Sequence, residues 1–176
     1  PLLSTVFLLF SERKTVALIA ESYYNSLHIF LQIPMTEGSL FMNTMDLYHY
    51  LAPGKIIHLI GIGGVSMSPL AEVLHRAGII VQGSDMNESD TVHHLRNLGI
   101  SVAVGHGAEN LGRCQCVIRS AAIHDNNPEI IAARAAGIPV FERAQAWGAI
   151  MRKYKNAVCI AGTHGKTTTT SMTAQI

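Results

Sequence analysis

From Lys55 onward the hydrophobic positions alternate between two spacings. Runs at 56–60, 79–83, 101–104, 116–119 and 139–141 are short and mostly apolar, with many β-branched residues, the pattern of strands buried on both faces. Between them the spacing widens to that of a helix. Met67, Leu70, Ala71, Leu74 and Ala77 share one face of a predicted helix at 67–77, and Val92, Leu95 and Leu98 share one face at 91–98. A helix at 128–136 is opened by Asn127 as N-cap, Pro128 at the first position and Glu129 near the positive end of the dipole. Another, from Arg143 to about Lys153, has Trp147, Ile150 and Met151 as its buried stripe. At Gly78-Ile79, Gly99-Ile100 and Gly137-Ile138 a glycine closes each helical pattern as a left-handed cap and an isoleucine opens the next strand. Strands and helices alternating in this way predict an α/β fold with a parallel, right-handedly wound sheet, whose ligands sit at the carboxyl ends of the strands.

Residues 1–54 lack this alternation. They begin with Pro1, include Met35, Met42 and Met45 as internal starts, and are expected to be a weakly structured extension or a stretch upstream of the true start, with a helix near 15–30. No function is assigned to them. The polar run Lys153-Tyr154-Lys155-Asn156 breaks the pattern at the other end, giving expected domains at 55–153 and from 154 to 176.

Two glycine turns follow predicted strands. The first, Gly61-Ile62-Gly63-Gly64-Val65-Ser66-Met67-Ser68, leads into a helix, an order that makes either an anion site from bare backbone N–H groups or a tight structural turn. The dinucleotide fingerprint needs glycine at 66, where this chain has Ser66. Other strand ends carry Asp85, suited to a ribose hydroxyl or to a turn; His106, a ligand contact or a bonded loop histidine; and Ser120, a phosphate donor or a cap. His93 and His94 lie on a helix and are not read as metal ligands. The second turn follows a strand at 157–161 and reads Gly162-Thr163-His164-Gly165-Lys166-Thr167-Thr168. It lacks the first glycine of the common G-x-x-x-x-G-K-[ST] loop, yet keeps its chemistry: amides to wrap a polyphosphate, Lys166 for the β/γ oxygens and the Thr167 hydroxyl for Mg²⁺.

Composition narrows the partners. With 48% hydrophobic residues, 14% charged and a formal net charge of +1, the chain of 176 residues can bury a core but has no basic excess for nucleic acid. Cys114, Cys116 and Cys159 are odd in number, without a second ligand pair for zinc, and read as reduced thiols of a cytoplasmic protein. The apolar run 6–10 is far shorter than the roughly 20 residues of a membrane span, and its charges follow it rather than precede it, unlike a signal peptide.

Taken together, Gly-Ile-Gly-Gly at 61–64, Met67-Ser68, Ala71-Glu72-Val73-Leu74, Gly83-Ser84-Asp85, Gly105-His106, Asn127-Pro128-Glu129 and Gly-Thr-His-Gly-Lys-Thr-Thr-Thr-Thr at 162–170 resemble the Mur ligases. The resemblance covers Lys55 to Ile176. It implies a Rossmann-like domain that binds UDP-N-acetylmuramate, then the first strand, phosphate loop and helix start of an ATP-binding domain. It also implies ATP and Mg²⁺ as cofactors and L-alanine as the second substrate, received by a C-terminal domain. Matched residue by residue, 61–68 fall at the UDP-sugar pyrophosphate, with Asp85, His106 and Ser120 near the nucleotide. Residues 162–168 fall at ATP, with Lys166 and Thr167 in catalytic roles and Thr167 on Mg²⁺. Ser66 and Arg119 depart from the pattern, the first where glycine is common and the second where a small or hydroxyl residue is expected. The expectation is of an N-terminal fragment that binds the sugar nucleotide without completing the reaction. Two alternatives stay open: an NAD(P)-binding oxidoreductase domain, favoured by Gly61, Gly63 and Asp85 but opposed by Ser66 and the second loop, and a non-catalytic nucleotide-binding module.

Overall fold

The computed structural model describes residues 5–11, 15–21, 29–34, 47–154, 157–161 and 165–175. The chain divides into two compact units, 39–150 and 1–38 together with 151–176.

The first unit is an open parallel sheet. Its strands are β4 (Ile56–Ile60), β5 (Ile80–Asp85), β6 (Ser101–Val104), β7 (Cys116–Arg119) and β8 (Val140–Glu142), in the order β6-β5-β4-β7-β8. All four pairings are parallel. The connecting helices are α1 (Ser68–Arg76), α2 (Asp90–Asn97), α3 (Pro128–Ala135) and α4 (Arg143–Met151), with a 3₁₀ turn at Ala108–Leu111 that the sequence pattern did not suggest. Each strand and helix predicted within this unit is present, with ends shifted by no more than two residues. The predicted glycine caps hold: Gly78, Gly99 and Gly137 all have positive φ between a helix and a strand.

Strand order reverses between β4 and β7, which puts the switch point at the ends of those two strands, beside Gly61 and Ser120. Alternate residues of each strand serve different layers. Ile57, Leu59, Val81 and Ile118 pack with Leu70, Leu74, Val92, Leu95 and Ile150 from α1, α2 and α4 in one dry cluster. Ile60 and Val117 face the other way, with Leu111 and with Ile130 and Ala133 of α3. The predicted stripes hold in part. Leu98 is 38% exposed, and in α4 the buried positions are Ala146, Ala149 and Ile150, with Trp147 packed partly buried against the dry cluster.

The second unit holds β1 (Thr5–Ser11), β2 (Thr15–Glu21), β3 (Ile29–Pro34) and β9 (Ala157–Ala161), ordered β3-β2-β1-β9 and antiparallel throughout. The helix expected near 15–30 is therefore corrected. Thr15–Glu21 is a strand paired on both edges, with β1 and β3, and β pairing of this kind overrides the weak local preference of a short apolar segment. α5 (Lys166–Thr173) follows β9. No helix of the described residues is long and apolar enough to cross a membrane.

Candidate functional site at the carboxyl ends of the parallel strands

The turn after β4 is folded tightly onto its neighbours. Gly61 has φ +77°, which favours glycine, and a Cβ there would come within 3.3 Å of Ser120 Cβ. A Cβ on Gly63 would lie 2.9 Å from Asp85 Oδ2 and 3.1 Å from Val92 Cγ2. These glycines serve closeness to protein atoms first.

Most of the turn's donors are already used. The Gly61 and Ile62 amides donate to the Ser84 carbonyl at 2.8 and 3.0 Å, Gly64 to the Gly61 carbonyl at 3.1 Å, and Met67 and Ser68 to the Gly64 carbonyl at 2.9 and 3.0 Å. The Gly63 amide donates to Asp85 Oδ2 at 2.9 Å, and Oδ1 of the same carboxylate accepts from Asn87 N at 3.1 Å. Asp85 is thus a latch between β5 and the glycine turn. Ile62 and Met67 are fully buried, so their side chains anchor the turn and only their backbone lies at the site. What remains for an anion is the tip. Val65 is 94% exposed, and the amides of Val65 and Ser66 have no partner among the described residues, just ahead of the α1 N-terminus.

A cation reaches the same tip. Arg143, the first residue of α4, donates from Nη1 to Ser66 Oγ. The sequence pattern missed it because α4 was read for its apolar stripe. Ser66, the departure from glycine, is the atom that meets this guanidinium. Ser120 accepts weakly from Ala122 N at 3.4 Å, which leaves its hydroxyl proton available at the switch point. Arg119 is engaged elsewhere: Nε donates to Glu142 Oε1 at 2.7 Å across the β7/β8 pair and Nη1 to Asp125 Oδ1 at 2.5 Å. The Glu142 bond first, helped by Asp125, raises the Arg119 pKa further.

Beneath the carboxyl edge, on the α3 face, lies a buried polar cluster that the sequence pattern did not reveal. His58, Ser84 and Glu129 are each 0% exposed. Glu129 Oε2 accepts from Ser84 Oγ at 2.7 Å and lies 3.4 Å from both His58 Nε2 and His106 Nδ1. Oε1 accepts from Asn110 Nδ2 at 2.6 Å and from Gly107 N at 3.4 Å. Gln82 Nε2 donates to the Asn110 and Leu111 carbonyls at 3.0 and 2.9 Å and stands 3.3 Å from His58 Nδ1. Burial would push the Glu129 carboxyl up, but hydrogen bonds from His58, Ser84 and Asn110 outweigh it and bring the pKa down to about 2. The signal available in the sequence was His58 itself, a polar residue inside a buried strand that must have a partner.

The thiols are quiet. Burial raises Cys114 to about 11 and Cys116 to about 12, so neither is a nucleophile at neutral pH. His93 and His94 are exposed on α2, within 3.8 and 3.3 Å of Glu88 and Glu72. A cleft of about 650 Å³ is lined by His49, Tyr50, Phe141, Glu142, Gln145 and neighbouring β8 backbone, and none of the predicted site residues borders it.

Of the second loop, Gly162, Thr163 and His164 lie outside the described residues. Gly165 has φ +75° and caps α5, whose exposed first turn carries Lys166, Thr167 and Thr168. A left-handed glycine opening a helix at Lys-Thr fits a polyphosphate and its magnesium ion.

A parallel α/β sheet with a glycine turn at its switch point, followed by a second strand, glycine and Lys-Thr helix start, is an arrangement suited to phosphorylated ligands. Comparison with known proteins narrows this: the Mur ligase family catalytic domain matches residues 56–155, and the chain belongs to that family. It is 54% identical over 121 residues to the UDP-N-acetylmuramate--L-alanine ligase of Sinorhizobium fredii, covering 69% of this chain and 26% of the relative. The enzyme of the same name from Rhodospirillum centenum is 54% identical over 120 residues, covering 68% and 25%. Among solved structures, the UDP-N-acetylmuramate-alanine ligase of Thermotoga maritima is 36% identical with a TM-score of 0.54, over 55% of this chain and 23% of that one. A murein peptide ligase from Psychrobacter arcticus is 28% identical with a TM-score of 0.61, over 69% and 26%. The chain therefore spans about a quarter of the length of the curated relatives it matches. Family membership also sets aside the oxidoreductase alternative.

Proposed function

We propose that this chain carries the sugar-nucleotide domain and the opening of the ATP-binding domain of a cytoplasmic UDP-N-acetylmuramate--L-alanine ligase. The observation that carries the reading is the tip of the first glycine turn. Two amides without a partner among the described residues, Val65 and Ser66, meet the α1 N-terminus and the Arg143 guanidinium at the switch point of the sheet. Donors, dipole and cation all favour a pyrophosphate there. Ser120 adds a hydroxyl, while Asp85 acts by holding the turn closed.

In the second loop, residues 162–168 would wrap the ATP phosphates, Lys166 would offset charge on the phosphoryl group in flight, and the Thr167 hydroxyl would hold Mg²⁺. The metal, when bound, shields the phosphate oxygens. The reaction served is attack of the muramyl carboxylate on the γ-phosphate, which expels ADP and leaves an acyl phosphate, followed by attack of the L-alanine amine on the acyl carbon, which expels inorganic phosphate and forms the amide. Isothermal titration tests the first half directly. Heat is expected with UDP-N-acetylmuramate and none with NADH, and Arg143→Ala should weaken the former; binding of NADH alone would overturn the reading.

A further inference from the structure

The cluster around Glu129 constrains where protons sit. The two protons of the Gln82 amide nitrogen go to the Asn110 and Leu111 carbonyls, and that nitrogen accepts nothing, so His58 Nδ1 beside it carries no proton and His58 gives its Nε2 proton to Glu129. Ser84 has a single hydroxyl proton. At 2.7 Å that proton goes to the Glu129 carboxylate, which has none to offer in return. His106 Nδ1, 3.1 Å from Ser84 Oγ and 3.4 Å from Glu129 Oε2, then faces only acceptors and must itself carry a proton. The other ring nitrogen, Nε2, has no partner among the described residues. Because no buried side-chain nitrogen or oxygen among them lacks a partner, Nε2 reaches solvent, at the carboxyl end of β6.

From this we infer that Glu129 is a positioning residue for nucleotide binding: by facing Nδ1 with its own carboxylate oxygen and by turning the Ser84 hydroxyl into an acceptor, it holds the His106 proton on Nδ1, so that Nε2 presents a lone pair outward to a hydrogen-bond donor on the uridine half of the ligand. The inference rests on the sugar-nucleotide reading above for the identity of the ligand, but not for the placement of the proton. It gives the cluster a task beyond packing. A carboxylate on α3, surrounded by donors from β4, β5, the 3₁₀ turn and the loop before it, converts the fold into a fixed tautomer at the rim.

The test is nitrogen-15 NMR of the imidazoles in the full chain, in the pH range where the rings are neutral. In the parent protein His106 is expected with Nδ1 protonated, and a proton on Nε2 instead would overturn the inference outright. Ser84→Ala leaves Glu129 to accept from Nδ1 directly, so the tautomer is expected to persist. Glu129→Gln turns an NH₂ group toward Ser84, which then donates to Nδ1, and the His106 proton is expected to move to Nε2. An unmoved proton in a folded Glu129→Gln variant overturns the positioning role. Titration with UDP, 3-methyl-UDP and 2′-deoxy-UDP then identifies the donor. The analogue lacking it should bind the parent about tenfold more weakly than UDP does, with little difference in Glu129→Gln. With 3′-deoxy-UDP added to cover the remaining donor, equal binding of all the analogues and UDP to the parent overturns the contact with Nε2. If UDP does not bind at all, the sugar-nucleotide reading fails, and the contact with it, whereas the proton placement is still decided by the first measurement.

Discussion

The two faces of the parallel sheet are made from the same strands, one residue apart, and they are chemically opposite. Toward α1, α2 and α4, Ile57, Leu59, Val81 and Ile118 meet only hydrocarbon. Toward α3, His58 and Ser84 meet Glu129 and Gln82 meets His58, in the registers His58↔Gln82 and Ile60↔Ser84. The dry face tolerates approximate geometry because hydrophobic burial has no direction. The wet face does not, since each buried donor needs its own acceptor. Both layers hold the unit together, but only the polar one also fixes the exact placement of side chains at the site.

The largest effect should come from breaking the wet face at its hub. Glu129→Ala removes the acceptor of Ser84, His58 and Asn110 together and should destabilise the 39–150 unit by about 3–5 kcal/mol, because buried donors are left unpaired. Trp147, the single tryptophan, packs against the dry cluster of that unit and reports its urea unfolding. A loss below about 1 kcal/mol, the scale of an ordinary hydrogen bond, would mean the cluster relaxes at little cost.

Next comes Leu59→Ala on the dry face. Leu59 is fully buried, and the substitution should lower stability by about 3 kcal/mol through lost transfer energy and a residual cavity. Its signature is that the loss is the same at every pH and leaves His106 unaltered. A changed His106 tautomer in this variant would show that the two layers are not independent.

Acid should separate the faces again. The Glu129 carboxyl sits at about 2 in the folded protein against an ordinary 4.5, so the stability it contributes is complete above about 4.5 and is lost as pH falls toward 2. In that window the unfolded chain binds the extra proton, and the slope approaches about 1.4 kcal/mol per pH unit. Glu129→Gln should lack this component. Identical slopes for parent and variant in acid urea titrations would contradict the depressed carboxyl.

How much of this was legible in the sequence follows the same division. The dry face was read almost completely, because its residues repeat at two and at 3.6 and Gly78, Gly99 and Gly137 mark the junctions. The wet face was not, because its logic is non-local: Glu129 lies 71 residues from His58 and 45 from Ser84, and local reading saw in it only an acidic residue at a helix start. The glycine turn was found, but not that Asp85 and the Ser84 carbonyl already take the amides of Gly61, Ile62 and Gly63; that too depends on a strand brought alongside. The misread segment at 15–21 has the same cause, its partners β1 and β3 deciding its form.

The smallest effect is the sharpest comparison. Each face has one helix capped by a side chain: Ser89 Oγ accepts from Val92 N at 3.3 Å at the start of α2, and Asn127 Oδ1 accepts from Glu129 N at 2.8 Å at the start of α3. Either cap replaced by alanine should lower stability by about 1 kcal/mol. The consequences for the ligand should differ, since the Asn127 cap fixes the backbone that carries Glu129, while the Ser89 cap supports a helix whose buried residues, Val92 and Leu95, belong to the apolar cluster and carry no polar group to the site. Asn127→Ala is therefore expected to weaken UDP binding several-fold and Ser89→Ala to leave it unchanged, at matched loss of stability. Equal weakening by both would mean that affinity follows overall stability, and that the polar layer has no separate hold on the site.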